Sequence, residues 1–300
     1  MTISAKIIAD SISNGGNRLT TFQLRYPRFI HAEFMTHRKL SRNASSSRAI
    51  PVARLIADVE RDPVNPSYWG KNQKGMQAHC ELSLNEQSIA EIRWDKARTA
   101  AIKAAKSLAE LNVHKQIVNR LLEPFSHINV LCTATDYANF YALRRHRDAQ
   151  PEIKVLADVM WGAKENNKPQ LLWPGDWHVP YYGKDGVWKA AFPGAKVDEH
   201  GNSLKMALET SVACAARVSY FTHQNRTATA EENGELYDRL LHHDPMHASP
   251  AEHQGTPDTY AVVGVKSCDK TEGWDHPELH GNFTGWKQYR KLLPNEYVPG

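Results

Sequence analysis

The chain has 300 residues, 41% hydrophobic and 23% charged, with a formal net charge of +4; these values suit one large globular domain with an ordinary core and exclude a nucleic-acid coat held by its overall field. No apolar run approaches the roughly 18 residues of a membrane span, and the first fourteen residues carry Asp10 and polar side chains where a secretory leader needs an apolar stretch. Cys80, Cys132, Cys214 and Cys268 form no C-x-x-C pair, so the expectation is a cytoplasmic, reducing compartment with neither a disulfide framework nor a zinc ribbon.

Ala5 to Ser11 and Leu19 to Tyr26 carry β-branched and aromatic residues between turn signals and read as strands. Pro27 ends the second, and Ile30 to Thr36 can start a helix. Residues 61–80, rich in Pro, Asn, Gly and Gln, read as a loop. Ser83-Leu84-Asn85-Glu86 is a capping box opening a long helix through Ile89, Ile92, Ala97, Ala101, Ala105 and Leu108. Asn112 breaks it, a second helix follows to about Leu122, and Pro124 stops that one. Asp136 can cap a helix through Phe140 and Leu143. Pro151 suits the first turn of another, Glu152 to Gly162, where a missing N–H costs nothing. From Asn166 to Asn202 Pro, Gly, Trp and Tyr dominate and periodicity disappears, which marks a long connector in need of a purpose. Helices return from Ser203, through Leu204, Leu208 and Val212, and over Glu231 to His242. A strand at Tyr260 to Val265 and a short helix around Trp286 to Leu292 close the chain. The expectation is a mixed α+β protein, helices in the majority, as a single domain over residues 1–300 with 166–202 as connector.

Positive charge is concentrated locally. Between Arg25 and Arg54 lie Arg28, Arg38, Lys39, Arg42 and Arg48 against a single acid, Glu33, a patch suited to a phosphate-bearing partner or equally to a solvated face. Inside it, the run His37-Arg38-Lys39-Leu40-Ser41-Arg42-Asn43-Ala44-Ser45-Ser46-Ser47-Arg48 has the composition of a phosphate-binding loop. Arg38 and Arg48 can grip phosphate with forked, charge-assisted bonds, Ser45, Ser46 and Ser47 can add donors, and Asn43 can meet a base or cofactor edge.

This run resembles the signature of the flavin-dependent thymidylate synthases, Arg-His-Arg, seven residues, then Ser. His37 and Arg38 match its second and third residues, Ser46 the Ser, Arg48 the Arg two later, and Asn43 a common Asn. Thr36 stands in place of the first Arg, and Ala44-Ser45-Ser46-Ser47-Arg48-Ala49 replaces Glu-Leu-Ser-Gly-Arg-Tyr. Downstream, Leu108 to Pro124 resembles the family's paired helices, with Arg120 four residues before Pro124. Asn139-Phe140-Tyr141-Ala142-Leu143-Arg144, then Ala149-Gln150-Pro151-Glu152-Ile153, resembles Asn-Phe-x-x-Leu-Arg followed by Ala-Gln-x-Glu-Ile, with Asp148 where a His often stands. Two blocks that open the family, Ala-Ala-Arg-Val-Ser and His-x-Thr-Pro-x-Glu-His, occur here near the C-terminus, as Ala215-Ala216-Arg217-Val218-Ser219-Tyr220 and His247-Ala248-Ser249-Pro250-Ala251-Glu252-His253. The blocks cover about two-thirds of the chain. Their order reads as a circular permutation, plausible because domain termini commonly lie close together, with the 166–202 connector joining the old ends. Gly285 to Lys291 faintly echoes the helix leading into the signature and offers a basic contact.

The resemblance implies an α+β fold, an antiparallel sheet with long helices. It also implies FAD-dependent methylation of a pyrimidine deoxynucleotide, dUMP to dTMP, with NADPH and methylenetetrahydrofolate as co-substrates. Arg144 would contact the pyrimidine ring and stabilise charge on it, as the catalytic residue. Arg48 and Arg120, with Ser45, Ser46 and Ser47, would hold the 5′-phosphate, and Glu33 would complete the substrate site. His37, Arg38, Ser41, Asn43, Asn139, Ser219, Ser249 and Glu252 would line the flavin site. A homotetramer with shared active sites is implied as well. None of the four cysteines has the Pro-Cys-His context of the thiolate-dependent enzymes.

Blander readings stand beside these. Arg144 can pair with an acid, Asp148 being a candidate, and Asn139 can merely cap or bridge helices. His242, His243, His247, His276 and His280 match no standard zinc spacing, so no metal is expected. Trp173, Trp177, Tyr181, Tyr182 and Trp188 can stack on folate or nucleobase, or simply pack the connector. Departures at Glu33, Thr36, Ala44 and Asp148 open two alternatives, dCMP as substrate or a hydroxymethyl product. A non-catalytic nucleic-acid-binding protein is the reading from another class; the basic run lacks interleaved aromatics, and no stable nucleic-acid or membrane partner is expected.

Overall fold

The computed structural model describes residues 2–220, 228–261 and 273–296. In chain order these contain β1 (Ser4–Ser13), β2 (Arg18–Pro27), α1 (His31–Met35), β3 (Ser41–Ala44), α2 (Val52–Arg61), α3 (Leu84–Glu110), α4 (Lys115–Val118), β4 (His127–Ala134), α5 (Ala138–Arg144) and α6 (Pro151–Glu165). There follow β5 (Gln170–Leu172), β6 (Trp177–His178), β7 (Val187–Trp188), α7 (Leu204–Tyr220), α8 (Ala230–Leu241), β8 (Gly255–Pro257), β9 (Tyr260–Ala261), β10 (Gly273–Trp274) and β11 (Trp286–Gln288). The architecture is mixed α+β, with a main sheet ordered β3-β4-β2-β1-β5 and a smaller one ordered β11-β8-β6-β7.

Alternation decides how the main sheet is covered, since successive strand residues point to opposite faces. On β2, Phe22, Leu24 and Tyr26 face one side, and Ile128, Val130 and Cys132 of the antiparallel neighbour β4 join them. This face packs on α5 and α6 through Tyr137, Phe140, Ile153, Leu156, Ala157 and Met160, all essentially buried. The other face carries hydroxyls. Thr21 Oγ1 lies 2.7 Å from Thr133 Oγ1 and 2.8 Å from His178 Nε2, His178 Nδ1 lies 2.8 Å from Ser11 Oγ, and Thr133 Oγ1 lies 2.8 Å from His253 Nδ1. All five residues are buried. Protons can run in one direction, from His253 Nδ1–H through both hydroxyls to His178 Nε2 and from His178 Nδ1–H to Ser11, leaving only the His253 Nε2 atom of this series without a partner. The same face takes α7, whose Ala215 and Val218 pack on Leu131.

Several elements differ from the sequence expectations. Strand β4 was not expected: His-Ile-Asn-Val-Leu-Cys-Thr-Ala is buried along nearly its whole length, so polar alternation is absent. Strand β3 lies within the signature run, and α2 precedes the 61–80 loop. The stretch expected to be helical up to Leu122 is α4 followed by a 3-10 segment, Asn119–Phe125, which holds Pro124 inside it. Trp286 to Leu292 is not a helix. Trp286 and Gln288 are buried while Lys287 is half-buried, the alternation of a strand pairing with β8, and a 3-10 turn follows. Of the strand expected at Tyr260 to Val265, Tyr260–Ala261 forms β9, and residues 262–265 lie outside the described residues, as does Cys268. The capping box at Ser83 and Glu86 is formed, and Pro151 opens α6. The 166–202 connector contributes β5, paired parallel with β1, and β6 and β7 of the second sheet. Its Trp177 and Trp188 are buried and Tyr182 packs against them, while Trp173 is exposed. Gly186 of this segment, at φ +67°, lies so close to β1 that a Cβ would stand 2.4 Å from that of Ala9.

Burial holds the His178 and His253 imidazoles down to about 3, against about 6.5 in an unfolded chain. The unfolded chain binds these protons first, so the contribution to stability is whole above pH 6.5 and declines as pH falls toward 3. The urea midpoint is expected to drop between about pH 7 and pH 4. His178→Phe should cost about 2–4 kcal/mol at neutral pH by stranding buried hydroxyls and should flatten the acid dependence; equal slopes for variant and parent would contradict this account.

Candidate active site

Helix α5 ends on Arg144, and the turn after α1 brings His37 against it. Arg144 Nε donates to His37 Nε2 at 2.9 Å, its Nη2 reaches Thr36 Oγ1 at 3.5 Å, and its Nη1 lies 3.9 Å from Glu33 Oε2. His37 is almost wholly buried and its ring meets Phe140 edge to face at 5.0 Å. Burial first, then Arg144 and Arg42, lower its pKa, which favours the neutral imidazole that accepts the hydrogen bond from Arg144 Nε–H. Thr36, standing where the signature has arginine, keeps a second guanidinium away from this corner. Asp148 does not pair with Arg144; it faces His146 and Arg147. The acid beside Arg144 is Glu33.

A second group surrounds an open cavity of about 470 Å³ that brings together Arg38, Ser41 and Glu252. The C-terminal segment supplies much of its wall. Gln288 Nε2 donates to Ser41 Oγ at 3.3 Å, to Asn282 Oδ1 at 3.0 Å and to the Glu252 carbonyl at 2.9 Å. Arg290 pairs with Glu252 Oε1 and Glu296, and Lys291 also pairs with Glu296. Of these wall residues, Gln288, Arg290 and Lys291 lie in the Gly285–Lys291 block, for which the sequence offered only a basic contact; Asn282 and Glu296 carry no motif.

The third group is the serine loop. Ser45 Oγ accepts from Asn129 N at 3.1 Å, Ser46 Oγ from Arg48 N at 3.3 Å, and Ser47 Oγ donates to Glu123 Oε1 at 2.6 Å. Arg120 Nη1 also donates to Glu123 Oε1, at 2.9 Å. Arg48 and Arg120 line an open groove of about 570 Å³ with Leu108, Gln116, Ile117 and Leu121. Behind the loop Arg28 is largely buried; it donates to the Ser45 carbonyl, and burial lowers its pKa.

Asn43 and Ser219 face inward. Asn43 Nδ2 donates to the Ala215 carbonyl at 2.6 Å, Ser219 Oγ to Asn43 Oδ1 at 3.2 Å, and Ser46 N to the Ser219 carbonyl at 2.9 Å. The Ala215–Ser219 block therefore docks on the signature run. Asn139 and Ser249 are exposed and reach none of these groups. Most of the basic run is spent internally, with Arg25 on Asp62, Lys39 on Asp136 and Arg42 on the carbonyls that end α1. Arg38 and Arg48 form no side-chain bond among the described residues. His276 and His280 gather on Asp258, and no group of three possible metal ligands occurs among the described residues.

A family model described as thymidylate synthase complementing protein matches residues 19–170. The chain belongs to this family. It is accordingly an enzyme of the one-carbon-transfer class. The matched span holds Glu33, His37, Arg38, Ser41, Asn43, the serine loop, Arg120, Asn139 and Arg144; Ser219, Ser249 and Glu252 lie beyond it. Two solved structures of the UMP/dUMP methylase PolB from Streptomyces cacaoi, bound with 5-Br dUMP and with 5-Br UMP, resemble it at TM-scores of 0.45 and 0.44. They share 17% and 18% identity, covering 54% of this chain in both cases and 90% and 88% of those chains. No curated protein matches. Among the described residues no helix is long and apolar enough to cross a membrane.

The bond from Arg144 fixes the His37 tautomer, with Nε2 bare and the proton on Nδ1. Nitrogen-15 NMR of labelled protein should show that tautomer at neutral pH, with protonation only below the usual histidine range. An Nε2–H signal at pH 7 would refute the arrangement.

Proposed function

We propose that the enzyme methylates C5 of a pyrimidine deoxynucleotide, dUMP to dTMP, taking the carbon from methylenetetrahydrofolate and the reducing equivalents from NADPH through bound FAD. The observation that carries this reading is the Arg144–His37 pair, a guanidinium held by a neutral imidazole and free to keep its charge. Methyl transfer to C5 needs electron density there, and a fixed cation beside the ring oxygen favours the enolate-like form that provides it. His37 holds the guanidinium in place without competing for its charge. Arg48, Arg120 and the serine loop are read as the phosphate end of the substrate site.

For the flavin, Arg38, Ser41 and Glu252 are the holding residues, with Asn43, Asn139, Ser219 and Ser249 as expected neighbours. The cavity fits such a group in kind. It offers one cation whose side chain makes no bond among the described residues, Arg38, and a polar wall already ordered by Gln288. Bound there, a flavin supplies hydride and mediates one-carbon transfer, and the protein's share is orientation and exclusion of water. Asn139 and Ser249 point to the surface, which supports a homo-oligomer, a tetramer by family resemblance, in which a second copy completes each site. The docking of Ala215–Ser219 on β3 and of His253 on β4 supports the circular permutation, with the single domain spanning the connector.

A second reading, dCMP as substrate, is favoured by Glu33. Its carboxylate, beside Arg144 and partly exposed, can accept from an exocyclic amino group that dUMP lacks.

Purified protein should show oxidised-flavin absorbance or take up added FAD; a colourless protein indifferent to FAD defeats the reading. Product analysis with dUMP and with dCMP, each with folate and NADPH, separates the substrates and distinguishes methyl from hydroxymethyl. Arg144→Met should lower turnover at least a thousandfold while flavin stays bound, and loss of flavin together with the fold would make Arg144 structural.

A further inference from the structure

The loop read as the seat of the substrate's 5′-phosphate already holds an anion. One oxygen of Glu123 takes the Ser47 hydroxyl at 2.6 Å and Arg120 Nη1 at 2.9 Å, and Arg28 Nη1 stands 3.9 Å away. Two of these three groups, Ser47 and Arg120, are those assigned to phosphate. A serine hydroxyl has one proton, so while Ser47 donates to Glu123 it has none for a phosphate. Arg120 keeps further N–H groups and is more than half exposed. The Arg48 side chain, on the same groove, makes no bond among the described residues. A phosphate arriving at Arg48 and Arg120 therefore meets a carboxylate that shares its donors and its sign.

We propose that Glu123 is a specificity-determining residue, an internal carboxylate that competes with the 5′-phosphate for Ser47 and Arg120 and limits how much negative charge the substrate's 5′ end can carry. This rests on the nucleotide reading above. Glu123 restrains binding, and its charge weighs more on a diphosphate than on a monophosphate. A purely structural Glu123 would have the opposite effect, because its removal would loosen Ser47 and Arg120 and weaken binding.

The sign of one measurement decides the matter. Glu123→Gln keeps the shape and can still accept from Ser47 and Arg120, but removes the charge. Calorimetric titration of FAD-saturated protein at fixed ionic strength would compare deoxyuridine, dUMP and dUDP. The variant should bind dUMP about tenfold more tightly and dUDP by a larger factor, with deoxyuridine unchanged. Equal or weaker dUMP binding overturns the proposal, as does an equal gain for dUMP and dUDP. If neither protein binds dUMP, the nucleotide reading fails and takes the proposal with it. Should Arg28, deprived of its counter-charge, prevent Glu123→Gln from folding, Glu123→Asp keeps the charge but withdraws it from Ser47. A gain of about threefold for dUMP is then expected, and a loss overturns the proposal.

Discussion

The polar series on the inner face of the main sheet constrains everything built on it. Ser11, His178, Thr21, Thr133 and His253 come from five separate segments and are shut off from bulk solvent. Each buried polar group left unpaired costs about 1–3 kcal/mol, so β6 cannot drift from β2, nor His253 from β4. Glu252 is the residue before His253, and so the cavity wall around Glu252 is placed by bonds made one residue away. Ser41 and Asn43 enter the same arrangement from β3, which is hydrogen-bonded to β4.

Charge is distributed around this frame with economy. Carbonyls and carboxylates absorb most cations of the basic run, which turns an apparent surface patch into internal fastening. Arg38 and Arg48, whose side chains make no bond among the described residues, lie on two different cavities, and Arg144 is held by a neutral imidazole with the Glu33 carboxylate 3.9 Å away. Arg38 and Arg48 are exposed and Arg144 is half-buried, so solvent screens the first two most and Arg144 weighs most on the field that a ligand meets. The neutrality of His37 matters for the same reason: a protonated imidazole there would repel the guanidinium it now accepts from.

Much of this could be read from the residues. The first hairpin, the capped α3, Pro151 at the start of α6 and the helices α7 and α8 all carry local signals, because alternation, caps and periodicity act over a few residues. Arg144, His37 and the serine loop stood out by motif. Strand β4 was hidden because burial on both faces erases alternation. The wall of Asn282, Gln288, Arg290 and Glu296 was hidden because it exists only through contacts with residues about forty to two hundred and fifty positions away. Glu123 was passed over for a related reason. In sequence it is an ordinary acid near the end of a helix, and only the fold brings Ser47 to it.

The series from Ser11 to His253 also bears on how the molecule is made. A ribosome releases Thr21 and Thr133 long before His178 and His253, the imidazoles that satisfy them. The first hairpin and β4 can pair early, but their inner face stays wet and incomplete until the chain has emerged past residue 253. Long-range closure of this kind is slow. The nascent enzyme is therefore exposed, with an open polar face and an unfilled sheet edge, for most of its synthesis, and its final packing is an event of the nearly finished polypeptide.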